Sequence, residues 1–254
     1  MIGVVIILAV LQGLTEFLPV SSSGHLVLLN SFFGIGNDFI LFSVILHLAT
    51  LFSVAFVLKN ELIGVIKKPF GEEGRKLIIA TLPTIIIVLL FKGVIDKAFR
   101  GGALPFCFML TAVLILVSEY LGKARRNGDG KISKLTAFIM GVFQGIAIFP
   151  GISRSGATIC AGLASGKDRK SVAKFSFLMS VPIIIASLIF EIYEFATLGQ
   201  AMTLLWYEIL IGFVVALIVG IFSVKFMLKI VERHSLIWFS VYLAIISVVS
   251  FFAI

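Results

Sequence analysis

Charged residues are scarce in this sequence. Only 13% of its 254 residues are Asp, Glu, Lys or Arg, whereas 60% are apolar, and the mean hydropathy is +1.17. A soluble domain of this size carries about twice that share of charge. Several runs near twenty residues are almost uncharged, which suits helices crossing a hydrocarbon core of about 30 Å. The apolar-polar alternation of an outer-membrane barrel is missing as well, so we predict an all-α, polytopic integral membrane protein.

Cysteine and a cleavable leader are also lacking. The two cysteines, Cys107 and Cys160, lie in apolar segments at no metal-ligand spacing, and we interpret them as packing residues. The apolar N-terminus has neither a basic region nor a small-residue cleavage site, so we expect no removable signal peptide. The net charge of +8 comes from short loops between apolar runs rather than from one soluble face. We therefore expect membrane lipid, and no nucleic acid, as a partner.

The sequence contains an internal repeat. Residues 12–25 read QGLTEFLPVSSSGH, and residues 144–157, which read QGIAIFPGISRSGA, align with them without a gap at an offset of 132 residues. Six of the fourteen aligned pairs are identical: Gln12/Gln144, Gly13/Gly145, Phe17/Phe149, Ser21/Ser153, Ser23/Ser155 and Gly24/Gly156. Chance does not readily place Gln, Ser and Gly in register in so apolar a chain, and we infer a duplication.

The duplication divides a single membrane domain, residues 1–254, into two halves. A polar, glycine-rich segment at 122–134 separates repeat 1, about 1–128, from repeat 2, about 131–254. In each half we predict a re-entrant helical hairpin that carries the motif, followed by three transmembrane helices: about 39–58, 77–95 and 103–121, then 172–195, 206–228 and 235–254. Two thin spans in place of a hairpin would give the same parity. Each half crosses an odd number of times, which predicts inverted-topology repeats of the transporter type.

The basic residues predict the orientation of the chain in the membrane. Seventeen of the 21 Lys and Arg residues fall in loops on one predicted side, against three, Lys92, Lys97 and Arg100, on the other. This asymmetry makes the first side cytoplasmic. We therefore expect a multi-pass protein of the cell membrane, with both chain ends and the turn at 34–38 outside.

The motifs have the composition of a phosphate site. Each is predicted to be a helix broken at Pro19 or at Pro150-Gly151, after which a second half-helix begins with serines and a glycine. Free amides at a helix N-terminus and serine hydroxyls bind phosphate oxygens. An inverted repeat brings two such tips together near the midplane. The predicted phosphate-binding residues are Ser21, Ser23, Gly24, Ser153, Ser155, Gly156 and Gln12.

The positions that differ between the copies predict a composite active site. Glu16, Ser22 and His25 occur only in the first copy, whereas Arg154 occurs only in the second, aligned with Ser22. His25 is one helical turn after Ser22 and is predicted to take or hold the serine proton, while Arg154 grips phosphate oxygens. Glu16 is expected to orient His25 or to hold a divalent cation. His47, alone in a predicted span, is interpreted as a packing residue, with a site-facing role as the alternative.

The two motifs resemble the signatures of the bacterial undecaprenyl-diphosphate phosphatase family, of the bacitracin-resistance type. The resemblance covers essentially the whole chain. It implies removal of the terminal phosphate of undecaprenyl diphosphate to regenerate the carrier lipid for peptidoglycan, dependence on Mg²⁺ or Ca²⁺, a site opening to the outer face and raised tolerance of bacitracin. The motif residues of the family fall on Glu16, Ser22, His25 and Arg154. Its Glu-or-Gln position is Gln12, so this chain offers one acid fewer than members with glutamate there.

The residues alone leave several alternatives open. A transporter or flippase of an anionic polyprenyl lipid would use inverted repeats equally well. For an enzyme, a phosphoserine at Ser22 and direct attack by water require the same residues. A homodimer is possible, and neither the preferred metal nor the range of prenyl lengths follows from the sequence.

Overall fold

A computed structural model describes residues 2–33, 38–98, 102–124, 131–198 and 204–253. In these ranges all regular secondary structure is helical, which confirms the all-α prediction. The predicted turn at 34–38 lies largely outside the described residues, as do residues 125–130 of the repeat boundary at 122–134, and Arg100. The helices of the first half are α1 (Ile2–Thr15), α2 (Ser22–Phe33), α3 (Asp38–Val57), α4 (Lys59–Lys67), α5 (Glu72–Ala98) and α6 (Leu104–Ala124). Those of the second half are α7 (Lys134–Ile146), α8 (Arg154–Ala164), α9 (Arg169–Leu198), α10 (Trp206–Arg233) and α11 (Ile237–Ala253).

Each of the six predicted transmembrane segments is a helix. Within the described residues α5, α6, α9 and α10 are long and apolar enough to cross a membrane, and α3 with α4 makes a fifth candidate that bends by 87°. Helix α11 is apolar but has 17 residues. Pro83 and Pro182 lie inside α5 and α9, which continue through them. The chain is thus a multi-pass helical membrane protein.

The motifs break two helix pairs at equivalent places. In the first half α1 ends at Thr15 and α2 begins at Ser22, and in the second α7 ends at Ile146 and α8 begins at Arg154. Ser22 and Arg154 are aligned residues, so the second helix of each pair starts at the same repeat position. The inverted orientation of the halves and the re-entrant course of each pair remain predictions.

The helices of the two halves pack against each other rather than forming separate bundles. Helix α1 packs on α10, and α7 packs on α5, which is the counterpart of α10 under the repeat. Glycines let both pairs approach closely: a Cβ on Gly13 would lie 2.9 Å from the carbonyl oxygen of Ala216, and a Cβ on Gly145 would lie 2.9 Å from Cβ of Ile87. Small residues at such crossings are typical of membrane helices. This packing holds the two motif breaks in the interior.

An ion pair near the C-terminal end of α6 joins the two halves of the chain. Glu119, 4% exposed, accepts from Arg169 Nη2 at 2.8 Å and from Arg169 Nη1 at 3.2 Å. Glu119 Oε1 also accepts from the backbone N–H of Leu236 at 2.9 Å. Arg169 donates further to the carbonyl oxygens of Val231 and His234. These bonds fix α6 to the start of α9 and to the turn between α10 and α11.

Candidate functional site

The carboxylate of Glu16 is the centre of the site. Glu16 lies in the turn after α1, and its side chain is 3% exposed. Oε1 accepts a hydrogen bond from Arg154 Nη2 of the second half. Oε2 accepts from Ser22 Oγ at 2.5 Å and from Gln12 Nε2 at 3.0 Å. The structure therefore brings four of the predicted site residues, Gln12, Glu16, Ser22 and Arg154, together on one carboxylate.

Arg154 reaches Glu16 because it is the first residue of α8, whose N-terminus points at the first motif. Its Nη1 also donates to the carbonyl oxygen of Ser180 on α9, at 3.4 Å. The Arg154 side chain remains 18% exposed, so part of its guanidinium is open to a ligand. A buried charge is tolerated in a membrane protein when an opposite charge pairs with it. Arg154 and Glu16 form such a pair, and a phosphate can compete for the arginine.

His47 on α3 lies at the site, although the sequence interpretation favoured a packing role for it. Its Nε2 lies 3.8 Å from Glu16 Oε2, and its side chain is 23% exposed. Nδ1 lies 2.8 Å from the carbonyl oxygen of Ser43, which can only accept, so Nδ1 carries a proton. In neutral His47 the Nε2 lone pair then faces Glu16. His47 is the tenth of twenty residues in α3, and a polar residue at that depth was itself a signal of function.

The sequence predicted a contact between His25 and the Ser22 hydroxyl, but the His25 ring bonds to other groups. Its Nδ1 donates to the carbonyl oxygen of Ser21 at 2.7 Å, and its Nε2 accepts from the Tyr242 hydroxyl at 2.7 Å. The imidazole stacks on Tyr242, and Phe108 packs against it edge-on. The physical reason is that this face of α2 packs against α6 and α11, whereas the Ser22 hydroxyl turns back to Glu16. Glu16 does not orient His25 either, since its oxygens contact other groups.

The serines flanking Ser22 and Arg154 are bonded within the protein. Ser153 Oγ caps α8 by accepting from the Gly156 N–H at 3.1 Å, and Ser155 Oγ donates to the carbonyl oxygen of Leu18 at 2.9 Å. Ser153 Oγ also lies 3.4 Å from that carbonyl oxygen. The serines of the second motif thus hold the turn of the first.

The first motif has an equivalent cap. Ser21 Oγ accepts from the Gly24 N–H at 3.3 Å and lies 3.4 Å from Ser23 Oγ. Ser21 has a φ of 68°, an unusual conformation for a residue with a side chain. Ser22 and Ser23 are only partly buried, whereas Ser21 is 3% exposed. Ser22 and Ser23 are therefore the hydroxyls of this motif that a ligand can reach.

The aligned glycines make room for the opposite motif rather than for a ligand alone. A Cβ on Gly24 would lie 2.8 Å from Cα of Gly151, and a Cβ on Gly156 would lie 3.1 Å from Cβ of Pro19. Pro19 and Gly151 are themselves aligned, so each motif's glycine packs on the break of the other motif. Gly151 has a φ of 91°, which a residue with a side chain rarely adopts.

A divalent cation has two oxygen donors to bind in this site. Gln12 is fully buried, and its Oε1 has no hydrogen-bond partner, beside the single carboxylate of Glu16. Across the described ranges, no three His, Cys, Asp or Glu side chains cluster as a metal cage would require. Magnesium is commonly held by one or two carboxylates together with substrate phosphates and water. The residues present fit a cation that arrives with a phosphate ligand.

The arrangement suits transfer of a phosphoryl group. It combines a hydroxyl bonded to a carboxylate, a guanidinium that can bind phosphate in bidentate fashion and an imidazole beside the carboxylate. The groups come from α1, α2 and α3 of the first half and α8 of the second. Neither half holds the complete set.

Comparison with known proteins places the chain in a family. The family model described as bacitracin resistance protein BacA matches residues 5–249. The chain is 40% identical over 247 residues to an undecaprenyl-diphosphatase of Carboxydothermus hydrogenoformans, covering 96% of this chain and 94% of that protein. It is 37% identical to an undecaprenyl-diphosphatase of Bacteroides fragilis, covering 96% and 95%, and 37% identical to undecaprenyl-diphosphatase 4 of Bacillus cereus, covering 93% and 91%. The chain therefore belongs to the BacA family of bacitracin resistance proteins.

Proposed function

We propose that the protein hydrolyses the terminal phosphate of undecaprenyl diphosphate, releasing undecaprenyl phosphate and inorganic phosphate. The carrier lipid is thereby returned to the synthesis of cell-wall polymers. The observation that carries the proposal is the meeting of Ser22, Arg154 and Gln12 on the Glu16 carboxylate. The relatives' names, undecaprenyl-diphosphatase, supply the substrate.

The first step uses the Glu16 contacts. The terminal phosphate takes the place of Glu16 on the Arg154 guanidinium, which leaves the carboxylate free to act as a base. Ser22 Oγ, 2.5 Å from Glu16 Oε2, passes its proton to Glu16 as it attacks the terminal phosphorus. The bond from that phosphorus to the bridging oxygen breaks, and undecaprenyl phosphate leaves as a stable anion that needs no proton. His47 Nε2 is placed to accept the proton from Glu16.

The second step releases phosphate. Water attacks the phosphorus of the phosphoserine, and the bond between Ser22 Oγ and phosphorus breaks. Ser22 Oγ takes back the proton held by the Glu16–His47 pair, while both protons of the water leave with the phosphate. The alternative is a water that occupies the same position beside Glu16 and attacks the diphosphate directly. Trapping and mass-mapping a phosphoserine at Ser22 distinguishes the two routes.

A divalent cation, Mg²⁺ or Ca²⁺, would supply charge neutralisation of the diphosphate when bound. Gln12 Oε1 and Glu16 are the residues that would hold it, because they offer hard oxygen donors beside the phosphate position. Ser23 and the amides at the start of α2 would bind remaining phosphate oxygens.

The lipid tail of the substrate and the basic residues in the loops support a position for the site in the membrane. The polyprenyl chain stays in the bilayer, and its diphosphate enters laterally to a site at the depth of His47. The charge asymmetry of the loops supports a cell-membrane protein whose site opens to the extracytoplasmic side. Association into a homodimer remains a prediction.

Phosphate release by the purified protein tests the proposal. We expect Ser22→Ala and Arg154→Ala to lose about 10² to 10⁴ in turnover, since each removes a group used in the transition state. Ser31→Ala is the matched control, because that hydroxyl lies on the same helix and bonds only to the Leu28 carbonyl oxygen among the described contacts. Wild-type turnover in both site variants would contradict the proposal.

A transporter of an anionic polyprenyl lipid is the alternative that the predicted inverted repeat favours. Detergent solution has no two compartments, so a pure carrier releases no phosphate there. Turnover of undecaprenyl diphosphate in detergent, sensitive to Ser22→Ala, distinguishes an enzyme from a carrier.

A further inference from the structure

Helix α4 departs from the bundle in a way that its repeat counterpart does not. Helix α3 ends at Val57, and α4, which starts at Lys59, runs at 87° to it. In the second half, α9 continues as one helix for 30 residues through the equivalent positions. Helices α3 and α4 qualify as a candidate membrane span only together, as this bent pair. With α3 placed across the bilayer, α4 would run along the membrane surface.

The outer face of α4 is apolar and unpacked. Leu62 and Val65 pack against the main core on the inner face. Ile63, Ile66 and Phe70 are 47%, 74% and 75% exposed, and no residue of α4 is fully buried. An amphipathic helix of this kind buries its apolar face at the boundary between headgroups and acyl chains.

The free charge around this face is positive. Glu61 pairs with Lys174 at 2.6 Å, and Glu72 and Glu73 pair with Lys76 at 2.8 and 2.9 Å. Lys59, Lys67 and Lys68 are exposed, and none forms an ion pair within the described part of the chain. The acidic residues are thus neutralised internally, while three lysines flank the apolar face.

The turn that follows α4 is fixed by backbone contacts. A Cβ on Gly74 would lie 2.0 Å from the carbonyl oxygen of Pro69, and the Gly71 N–H donates to the Lys68 carbonyl oxygen at 2.9 Å. Arg75 Nε donates to the carbonyl oxygen of Phe70 at 2.6 Å. The backbone that carries Lys68 and Phe70 is therefore held in place before any partner binds.

We infer that residues 59–70, the α4 elbow, form a binding surface for anionic phospholipid. The ammonium groups of Lys59, Lys67 and Lys68 bind headgroup phosphates, while Ile66 and Phe70 enter the acyl layer. Charge complementarity selects anionic over zwitterionic headgroups, because each lysine near a negatively charged leaflet adds attraction that a neutral headgroup lacks. The surface contains no residue of the phosphate site and stands independently of the proposed function.

Lipid binding by the full-length protein in detergent tests whether the lysines of the α4 elbow bind anionic headgroups. Phosphatidylglycerol and phosphatidylcholine are titrated, and bound lipid is counted by native mass spectrometry. We expect Lys67→Gln with Lys68→Gln to weaken phosphatidylglycerol binding about tenfold and to leave phosphatidylcholine binding unchanged. The matched control is Lys225→Gln with Lys229→Gln, two exposed lysines of α10 on the same predicted side. Equal loss in both double variants, or no loss in either, would overturn the inference.

The depth of a spin label on α4 in a bilayer tests whether the apolar face of this helix enters the acyl layer. A nitroxide at Ile66→Cys in nanodiscs containing phosphatidylglycerol is expected to be more accessible to oxygen than to a water-soluble nickel chelate. Asn60→Cys, on the same helix and exposed, serves as the control and is expected to favour the chelate. Cys107 and Cys160 are buried, so labelling is selective. Chelate accessibility at residue 66 equal to that at residue 60 would contradict insertion.

Discussion

Glu16 places a negative charge in the buried interior of the site. An isolated buried carboxylate costs several kcal/mol, and here Arg154, Ser22 and Gln12 offset that cost. The same contacts keep the carboxylate ionised beside the hydroxyl that it is proposed to deprotonate. Stability and chemistry therefore depend on one group.

Glu16→Gln separates these two roles. The amide keeps the size of the side chain but cannot accept the Ser22 proton, so we expect turnover to fall by about 10² or more. It also leaves the Arg154 charge unpaired, which is expected to lower the free energy of unfolding by about 3 kcal/mol. Turnover and thermal midpoint in detergent measure the two effects. Unchanged turnover would exclude Glu16 as the base.

His47 is predicted to act through Glu16. We expect His47→Leu to lower kcat by about 10-fold or more with little change in KM, since the imidazole faces the carboxylate rather than the lipid tail. His47→Gln restores a polar group at the same depth and is expected to recover part of the rate. His234→Leu, at the exposed end of α10, is the control. Equal rates for the Leu and Gln variants of His47 would contradict a polar role.

Tyr242 tests the position of His25. Tyr242→Phe removes the hydroxyl that donates to His25 Nε2, and we expect a loss of about 1 kcal/mol in stability while turnover stays within a few-fold of wild type. A loss of turnover as large as that of Ser22→Ala would return His25 to the reacting centre. Thermal unfolding and phosphate release on the same preparation distinguish the outcomes.

The sequence predicted which residues belong to the site better than it predicted the contacts between their side chains. The unmatched positions of the repeat located Glu16, Ser22 and Arg154, because charge inside an apolar run has few structural explanations. The partner of His25 was not predictable, since Tyr242 lies 217 residues away with no spacing signal. A site-facing role for His47 was the less favoured interpretation for the same reason, because only the fold brings α3 against the first motif.

At the element scale the two motifs act as reciprocal packing surfaces. Gly24 packs on the Gly151 backbone and Gly156 on the Pro19 side chain, while the serines of the second motif cap α8 and hold the turn of the first at Leu18. Hydropathy alone located a helix at each of the six predicted spans, and four of these helices, or five with the bent pair α3 and α4, are long and apolar enough to cross a membrane. The bend into α4 did not, because Leu62 and Val65 gain their packing only from the folded core.

Gly24→Ala tests the contact between the motifs. The added methyl group would lie 2.7 Å from Cζ of Phe108 and 2.8 Å from Cα of Gly151, and the Gly151 backbone cannot yield cheaply. We expect a loss of about 1 to 3 kcal/mol in stability, together with reduced turnover as the tips move apart. Gly93→Ala on α5 is the control, since a Cβ there meets nothing within 4 Å and raises helix propensity. Equal thermal midpoints for both variants would refute the packing role.

At the scale of the whole molecule, the site depends on how firmly the halves are joined away from it. Glu119 and Arg169 tie α6 of the first half to α9 and the α10–α11 turn of the second through a buried bidentate pair. Glu119 lies near the end of the predicted span at about 103–121, where a charged side chain can usually reach water. Its burial arises only because the second half folds over it.

Glu119→Gln measures the strength of that joint. Removing one charge leaves Arg169 unpaired among backbone carbonyls, so we expect a loss of about 3 kcal/mol, or roughly 6 to 12 °C in thermal midpoint. Glu232→Gln makes the same chemical change in the exposed pair with Lys170, whose atoms lie 3.4 Å apart, and is expected to cost less than about 1 kcal/mol. Below the unfolding transition both variants should release phosphate at the wild-type rate, because neither residue touches the Glu16 site. A midpoint shift as small for Glu119→Gln as for Glu232→Gln would show that the halves are held together by apolar packing alone.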